Sequence, residues 1–339
     1  MNSSKTIRIP YNQVKNQLYE VLSRLNFPED NAQKCASIFA DNSLDGVYSH
    51  GINRFIRFVE YTQKGYINPL TEAKKVHQIG AIEQWDGQLA PGPTTAFEAT
   101  ERAMALARKH GIGMIAMANT NHWMRGGTYG WQCAKNGFAF IGWTNTIANL
   151  PAWGAKECKL GNNPLVFAIP YQNEAIVLDM AMSQYSYGKM EDMEKEGTEL
   201  PLPGGFNKND ELSTSPSEIL ETGRPLPIGY WKGAGLSLML DLMATLFSAG
   251  LSTSAVTHQN KNEYGVSQVF IAIDLQQLPN FPAINQTIQE VLDDFLSAEK
   301  MNTTNSLRYP GQQIIKTREK NQAEGIPVNA EIWQKILNL

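Results

Sequence analysis

An α/β fold is predicted by three observations. Helical periodicity runs through residues 1–74, short apolar runs broken by Gly, Pro and Asn fill 75–274, and helical spacing returns over 275–339. The reading is therefore a helical N-terminal part, a central α/β part built on a mixed sheet, and a C-terminal helical part expected to pack back on the first.

Tyr11, Val14, Leu18, Val21, Leu22 and Leu25 recur at steps of three and four, so the chain opens with an amphipathic helix. Pro28 with Glu29 and Asp30 suits the start of a second. Proline lacks an N–H that would be orphaned there anyway, and acids meet the positive end of the helix dipole. Ala32, Cys35, Ala36, Phe39 and Ala40 form its stripe, and Gly46 closes the unit. A third helix over 52–64 turns Phe55, Phe58, Val59 and Tyr61 inward and stops at Gly65. A helix over 94–110 leads into a strand over 111–117, and further strands are expected at 138–144, 165–169, 175–180 and 269–274. Residues 190–227, rich in Gly, Pro, Ser, Asn and charge, read as a long loop. Residues 233–249 read as a long buried helix, with later helices at 285–299, 312–325 and 330–337.

Apolar residues at 42% and charged residues at 18% fit a packed globular protein. The net charge of −4 offers no basic footprint, so no nucleic-acid partner is expected. No segment has the apolar length of a membrane span, and residues 1–8 lack the apolar core of a signal peptide, which points to the cytoplasm. Cys35, Cys133 and Cys158 are far apart and odd in number, the pattern of free thiols. No histidine has a second His or Cys at ligand spacing, so no metal is expected. No G-x-S-x-G elbow occurs. Neither the G-x-G-x-x-G fingerprint nor the phosphate-binding P-loop is present, since Gly111-Ile112-Gly113 lacks the third glycine. Any dinucleotide must bind in another way.

Two clusters carry chemistry. In Ser49-His50-Gly51-Ile52-Asn53-Arg54, a helix beginning near Gly51 would bring His50 and Arg54 to one side. An imidazole exchanges protons near neutral pH, and a guanidinium fork grips a carboxylate at two points, a combination suited to small oxo and hydroxy acids. A histidine near a helix start also serves as a cap or surface residue. Asn121, His122 and Arg125 follow the strand expected to end near Ala118, on a turn with Gly126 and Gly127, where α/β proteins commonly gather ligands. Asn and Gly are equally ordinary turn residues. Asp179, ending an apolar strand, could partner a His or Lys or accept from a ribose hydroxyl. Lys232, at a helix start, could meet an anionic cofactor or simply face water.

Taken together, Asp45 through Phe55, Asn121-His122-Trp123-Met124-Arg125-Gly126-Gly127, Gly161-Asn162-Asn163-Pro164-Leu165 and Gly229-Tyr230-Trp231-Lys232-Gly233 resemble the malate/L-lactate dehydrogenase-type oxidoreductases, a family without a Rossmann fold. The likeness covers nearly the whole chain. Tyr48, the run from Ala81 to Asp86, Trp153 to Cys158, and Tyr309-Pro310-Gly311 resemble the branch that reduces a diketo sugar acid more than the malate, lactate, sulfolactate and imino-acid branches.

The resemblance implies a non-Rossmann NAD-binding fold, a homodimer, and NADH, with NADPH as the alternative, lying in a groove shaped by both subunits. It implies His50 as proton donor. It maps cofactor contacts to Ile176, Val177, Leu178, Asp179, Met180, Ala181 and Met182, to Trp231 and Lys232, and to Gly311, Gln312 and Gln313. The partner is a small oxo or hydroxy sugar acid, with Arg54 on its carboxylate and His122 and Asn121 on its hydroxyls or oxyanion. The family commonly has threonine where this chain has Asn162, and His or Glu where it has Gln312; both replacements still hydrogen-bond. Other expectations stay open: a sibling 2-hydroxy acid dehydrogenase, a hydrolase of small polar substrates, and a sugar-acid-binding protein without turnover.

Overall fold

The computed structural model describes residues 6–301 and 307–339; residues 1–5, part of the segment read for a leader, lie outside the described residues. Strand β1 (Thr6–Ile9) precedes helices α1 (Tyr11–Arg24), α2 (Glu29–Leu44) and α3 (Ile52–Gln63), with a 3-10 turn at Tyr48–His50 before the last. A hairpin of β2 (Lys74–Ile79) and β3 (Ile82–Asp86) leads through α4 (Gly92–His110) to β4 (Ile112–Thr120), then through α5 (Gly126–Lys135) to β5 (Phe138–Thr144). The small pair β6 (Leu150–Pro151) and β7 (Cys158–Leu160) precedes a second hairpin, β8 (Leu165–Tyr171) and β9 (Glu174–Met180). Next come α6 (Tyr187–Glu196), β10 (Gly205–Phe206), β11 (Leu212–Ser213), α7 (Pro216–Thr222), the long α8 (Trp231–Ser248), the one-turn α9 (Thr253–Ala255) and β12 (Val266–Asp274). The chain finishes with α10 (Ile284–Ser297), α11 (Gln312–Glu324), β13 (Ile326–Asn329) and α12 (Ala330–Leu337).

Seven strands form one mixed sheet in the order β2-β3-β4-β12-β5-β8-β9. Only β3 and β4 run parallel, and β12, arriving from late in the chain, lies antiparallel to both β4 and β5. A Rossmann sheet would be parallel here. Helices α4 and α5 cover one face and α8 the other. The Gly111-Ile112-Gly113 run serves this packing: Gly111 is the left-handed cap of α4, and a Cβ on Gly113 would lie 2.1 Å from the Ala103 carbonyl oxygen.

The helical part has its own core. Phe39 of α2 meets Phe55 and Phe58 of α3 edge-on at 5.2 and 5.1 Å, over Val14, Leu18 and Leu22 of α1. Chain ends close it, because β13 pairs with β1 and α12 adds Trp333 and Ile336 to the same core. Helix α10 lies elsewhere, where its Gln289 accepts from Tyr171 at the β8–β9 turn.

Two expectations need correction. The segment 190–227 is folded: α6, the β10–β11 hairpin and α7 enclose a small core of Met190, Met193, Leu200 and Ile219. Its composition hid this because the elements are short and the apolar residues few. Helix α8 is buried on one face only, through Gly233, Ala234, Ser237, Leu240, Ala244 and Ser248, while Leu238, Met239, Leu242 and Leu246 face outward. Among the described residues no single helix is long and apolar enough to cross a membrane. All three cysteines are free, two of them buried and Cys158 half-buried.

Candidate active site

His50 ends the 3-10 turn rather than riding on α3, since Gly51 is extended at φ −108 and ψ −129. The helical spacing argument for His50 and Arg54 therefore fails, although the two groups still interact. Close packing explains the motif. A Cβ on Gly51 would lie 2.2 Å from Ser43 Oγ and 2.9 Å from the Ser43 backbone nitrogen, and the same Ser43 hydroxyl accepts from the Ile52 N–H at 2.8 Å, capping α3. The Asn42 carboxamide donates to the His50 carbonyl at 3.0 Å and accepts from Thr128 of α5 at 2.7 Å, tying the turn to the sheet.

Ser49 Oγ is 3.0 Å from His50 Nδ1, which leaves Nε2 of that ring for a ligand. His122, just past β4, stacks on His50 with centroids 5.7 Å apart and planes at 21°. The Met124 N–H donates to His122 Nδ1 at 3.0 Å, so a neutral His122 carries its proton on Nε2, 3.6 Å from Glu263 Oε1. The turn is strained to achieve this, with Asn119 and Met124 at φ +52 and +66.

Electrostatics set the resting state. Burial, then the Arg54 and Arg125 cations, push His50 down to about 4, and burial with Arg54, His50 and Arg57 holds His122 well below its ordinary value. Both rings are neutral at pH 7 in the free protein. The proton-donor role implied for His50 thus requires a form that the free protein does not favour. Arg54 is largely buried, and Glu263 is the carboxylate acting on it most strongly. Arg125, by contrast, is committed: it pairs with Asp45 at 2.5 Å and lies 3.9 Å from Asp179. Arg318 of α11 completes the cluster on Asp45 at 2.6 Å.

Asn121 does structural work. Its amide nitrogen donates to the carbonyls of Tyr66, Leu89 and Ala90, while its Oδ1 is buried without a partner among the described residues. Asp179 accepts from the Gly127 N–H at 2.8 Å and faces Arg125, so its contacts are to the start of α5 rather than to an imidazole.

The other residues mapped for a cofactor lie along β9 and two adjoining segments. Met182 bonds backbone to backbone with Asn162 and Ile228 at 2.8 Å, joining the end of β9 to the turn that leads to Trp231 and Lys232. Those two open α8; Trp231 is 67% exposed and so free to meet a ligand, and Tyr230 before it is held at φ +59. At the β9 edge the Val177 N–H donates to Pro310, and a Cβ on Gly311 would lie 3.2 Å from Val177 N. Gln312 Oε1 is buried without a partner among the described residues, a spare acceptor that fits a ribose or amide donor. Gln313 instead accepts from Arg308 at 2.8 Å, and Asn162 Oδ1 accepts from Thr146 at 3.3 Å. A larger cleft, walled by Phe97, Trp131, Lys34 and Arg318, lies beyond Asp45 and is not lined by either imidazole.

Sequence reasoning missed Glu263, Arg57 and the Asp45–Arg318 pair. Glu263 and the Asp45–Arg318 pair act through contacts distant in sequence, which no local spacing marks, whereas Arg57 lies one helical turn after Arg54 on α3, a spacing the sequence does carry.

Residues 9–337 match the family model described as malate/L-lactate dehydrogenase. The chain is 45% identical over 330 residues, 97% of this chain and 99% of the relative, to the 2,3-diketo-L-gulonate reductases of Salmonella newport and Salmonella typhimurium. Its fold matches a malate dehydrogenase from Entamoeba histolytica with TM-score 0.92 at 21% identity, covering 99% of each chain. It matches a sulfolactate dehydrogenase from Methanocaldococcus jannaschii with TM-score 0.89 at 26% identity, covering 98% of each. With the motifs, the mixed sheet and the near full-length match in agreement, the chain belongs to the malate/L-lactate dehydrogenase family and is an oxidoreductase of the hydroxy-acid and oxo-acid class.

Proposed function

We propose that the protein reduces 2,3-diketo-L-gulonate to 3-dehydro-L-gulonate in the cytoplasm, using NADH, with His50 as the proton donor. The observation that carries this is the stacked His50–His122 pair beside Arg54, in a chain 45% identical to reductases of that name. The nicotinamide, when bound, supplies the hydride that C2 receives. Ile176 to Met182, Trp231, Lys232, Gly311 and Gln312 would hold the cofactor, Gln312 through its spare Oε1 and Lys232 through charge at the start of α8.

Arg54 clamps the substrate carboxylate with its fork. That anion offsets the Arg54 charge, which is one of the cations holding His50 neutral, so substrate binding raises the affinity of His50 for a proton. His50 Nε2 then donates to the carbonyl oxygen as the C2–H bond forms, and that oxygen, still bonded to C2, becomes its hydroxyl. His122, with its Nε2 proton fixed by Met124, donates a hydrogen bond to that oxygen or a neighbouring hydroxyl.

The homodimer belongs to the same reading. Leu165 and Met180 pack with α8 in one cluster, so Phe167 and Leu178, two residues away on the same strands, share that face, where they are 42% and 36% exposed. Together with the outer stripe of α8 they form an apolar surface suited to a second copy.

NADH oxidation, followed by absorbance with 2,3-diketo-L-gulonate, oxaloacetate and pyruvate in parallel, tests the reading. Turnover with the diketo acid should exceed the others by at least about tenfold. Greater turnover with any of the other acids would reassign the substrate, and product formed without NADH would reassign the reaction.

A further inference from the structure

Glu263 has no role in the proposed reaction, yet among the described residues it is the one carboxylate that lines the small cavity with Arg54, Arg57, His122 and Asn121. Its side chain is 11% exposed and lies 3.6 Å from His122 Nε2. The loop that carries it is built to hold it there. Tyr264 stacks on Tyr66 with centroids 4.6 Å apart and planes at 3°, Asn262 reaches the Tyr66 hydroxyl at 3.4 Å, and Asn260 fixes the Tyr264 carbonyl at 2.6 Å.

We propose that Glu263 determines specificity: with the unpartnered Oδ1 of Asn121, its carboxylate accepts hydrogen bonds from substrate hydroxyls and turns away acids that carry a second carboxylate. The inference rests on Arg54 as the carboxylate clamp of the reading above. Two guanidinium groups, the Glu263 carboxylate that they hold against the upward push of burial, and the neutral His122 imidazole leave a single positive charge in the cavity lining. One substrate carboxylate balances it. A dicarboxylate would leave a surplus anion in a buried site, where unpaired charge is costly. The unpartnered Asn121 Oδ1, beside the Glu263 carboxylate, calls for hydroxyl groups, which a polyhydroxylated acid has and short oxo acids lack.

The test is steady-state kinetics at saturating NADH with 2,3-diketo-L-gulonate, oxaloacetate and pyruvate, on wild type, Glu263→Gln and Glu263→Asp. Pyruvate, with one carboxylate and no hydroxyl, serves as the internal reference. Relative to it, Glu263→Gln should lower kcat/KM for the diketo acid by about 10–100-fold, mainly through KM, and raise that for oxaloacetate at least about tenfold. Glu263→Asp, which keeps the charge, should still exclude oxaloacetate. Parallel losses on all three acids would mark Glu263 as merely structural and overturn the proposal, as would unchanged ratios. Should Glu263→Gln fail to fold, Glu263→Asp decides, because admission of oxaloacetate by a variant that retains the carboxylate overturns it. A wild type inert to the diketo acid would sink the substrate reading alone, since the ratio of oxaloacetate to pyruvate across the variants still judges Glu263.

Discussion

At the scale of single residues, the proposed mechanism divides the chemistry between a proton on His50 and a carboxylate on Arg54. Replacing His50 with Asn removes the acid while leaving the residues along β9 untouched. Turnover should fall by ~10²–10⁴-fold with NADH affinity retained, as measured by fluorescence titration. Turnover near wild type would place the acid elsewhere. Arg54→Lys should raise KM for the oxo acid about tenfold, because an ammonium offers no two-point fork.

The low value of His50 makes a sharper prediction. The free protein holds this group at about 4, so the protonated fraction shrinks tenfold for each pH unit above that. In the reductive direction kcat/KM, which reports free enzyme, should therefore decline steadily from pH 5 to pH 8. In kcat, which reports the complex, the decline should begin at higher pH, because the bound carboxylate neutralises Arg54. A flat kcat/KM profile across that range would count against His50 as donor.

At the scale of elements, the legible parts were those whose signal is local. Helices α1, α2 and α3 announce themselves through stripes such as Val14-Leu18-Val21, and β5, β8 and β9 through unbroken apolar runs. The histidines were legible as candidates, but their meeting was not, because His50 reaches His122 through tertiary packing rather than helical spacing. Glu263 sits between a π-helical turn at Val256–Asn260 and β12, with nothing periodic to mark it. Segment 190–227 was misread because four apolar side chains suffice for its core. Gly51 could be noticed in the motif but not explained without Ser43. Its explanation predicts that Gly51→Ala, driving a methyl into the Ser43 backbone of α2, costs about 1–3 kcal/mol of stability. Turnover should fall together with the melting temperature, since the same displacement moves His50. A variant with native stability and activity would show that α2 yields to the added methyl.

At the scale of the whole molecule, the two faces of the sheet are unequally covered, and this asymmetry bears on assembly. Leu238, Leu242 and Leu246 recur every four residues on the outer side of α8 and are 47%, 45% and 72% exposed, continuous in kind with Phe167 and Leu178 on the sheet beside them. Helix α8 begins with Trp231 and Lys232, so whatever covers its stripe also fixes residues proposed to hold the cofactor. Leu246→Arg separates assembly from folding, because a side chain already mostly in water can become charged at little cost to the monomer. Wild type should sediment as a dimer of 37.7 kDa chains. Leu246→Arg should shift it toward monomer, keep its melting cooperative, and raise the KM for NADH. If the wild type proves monomeric and fully active, the groove is complete within one chain and the apolar face serves some other contact. If the variant dissociates yet binds NADH as before, the partner shapes the oligomer without shaping the site.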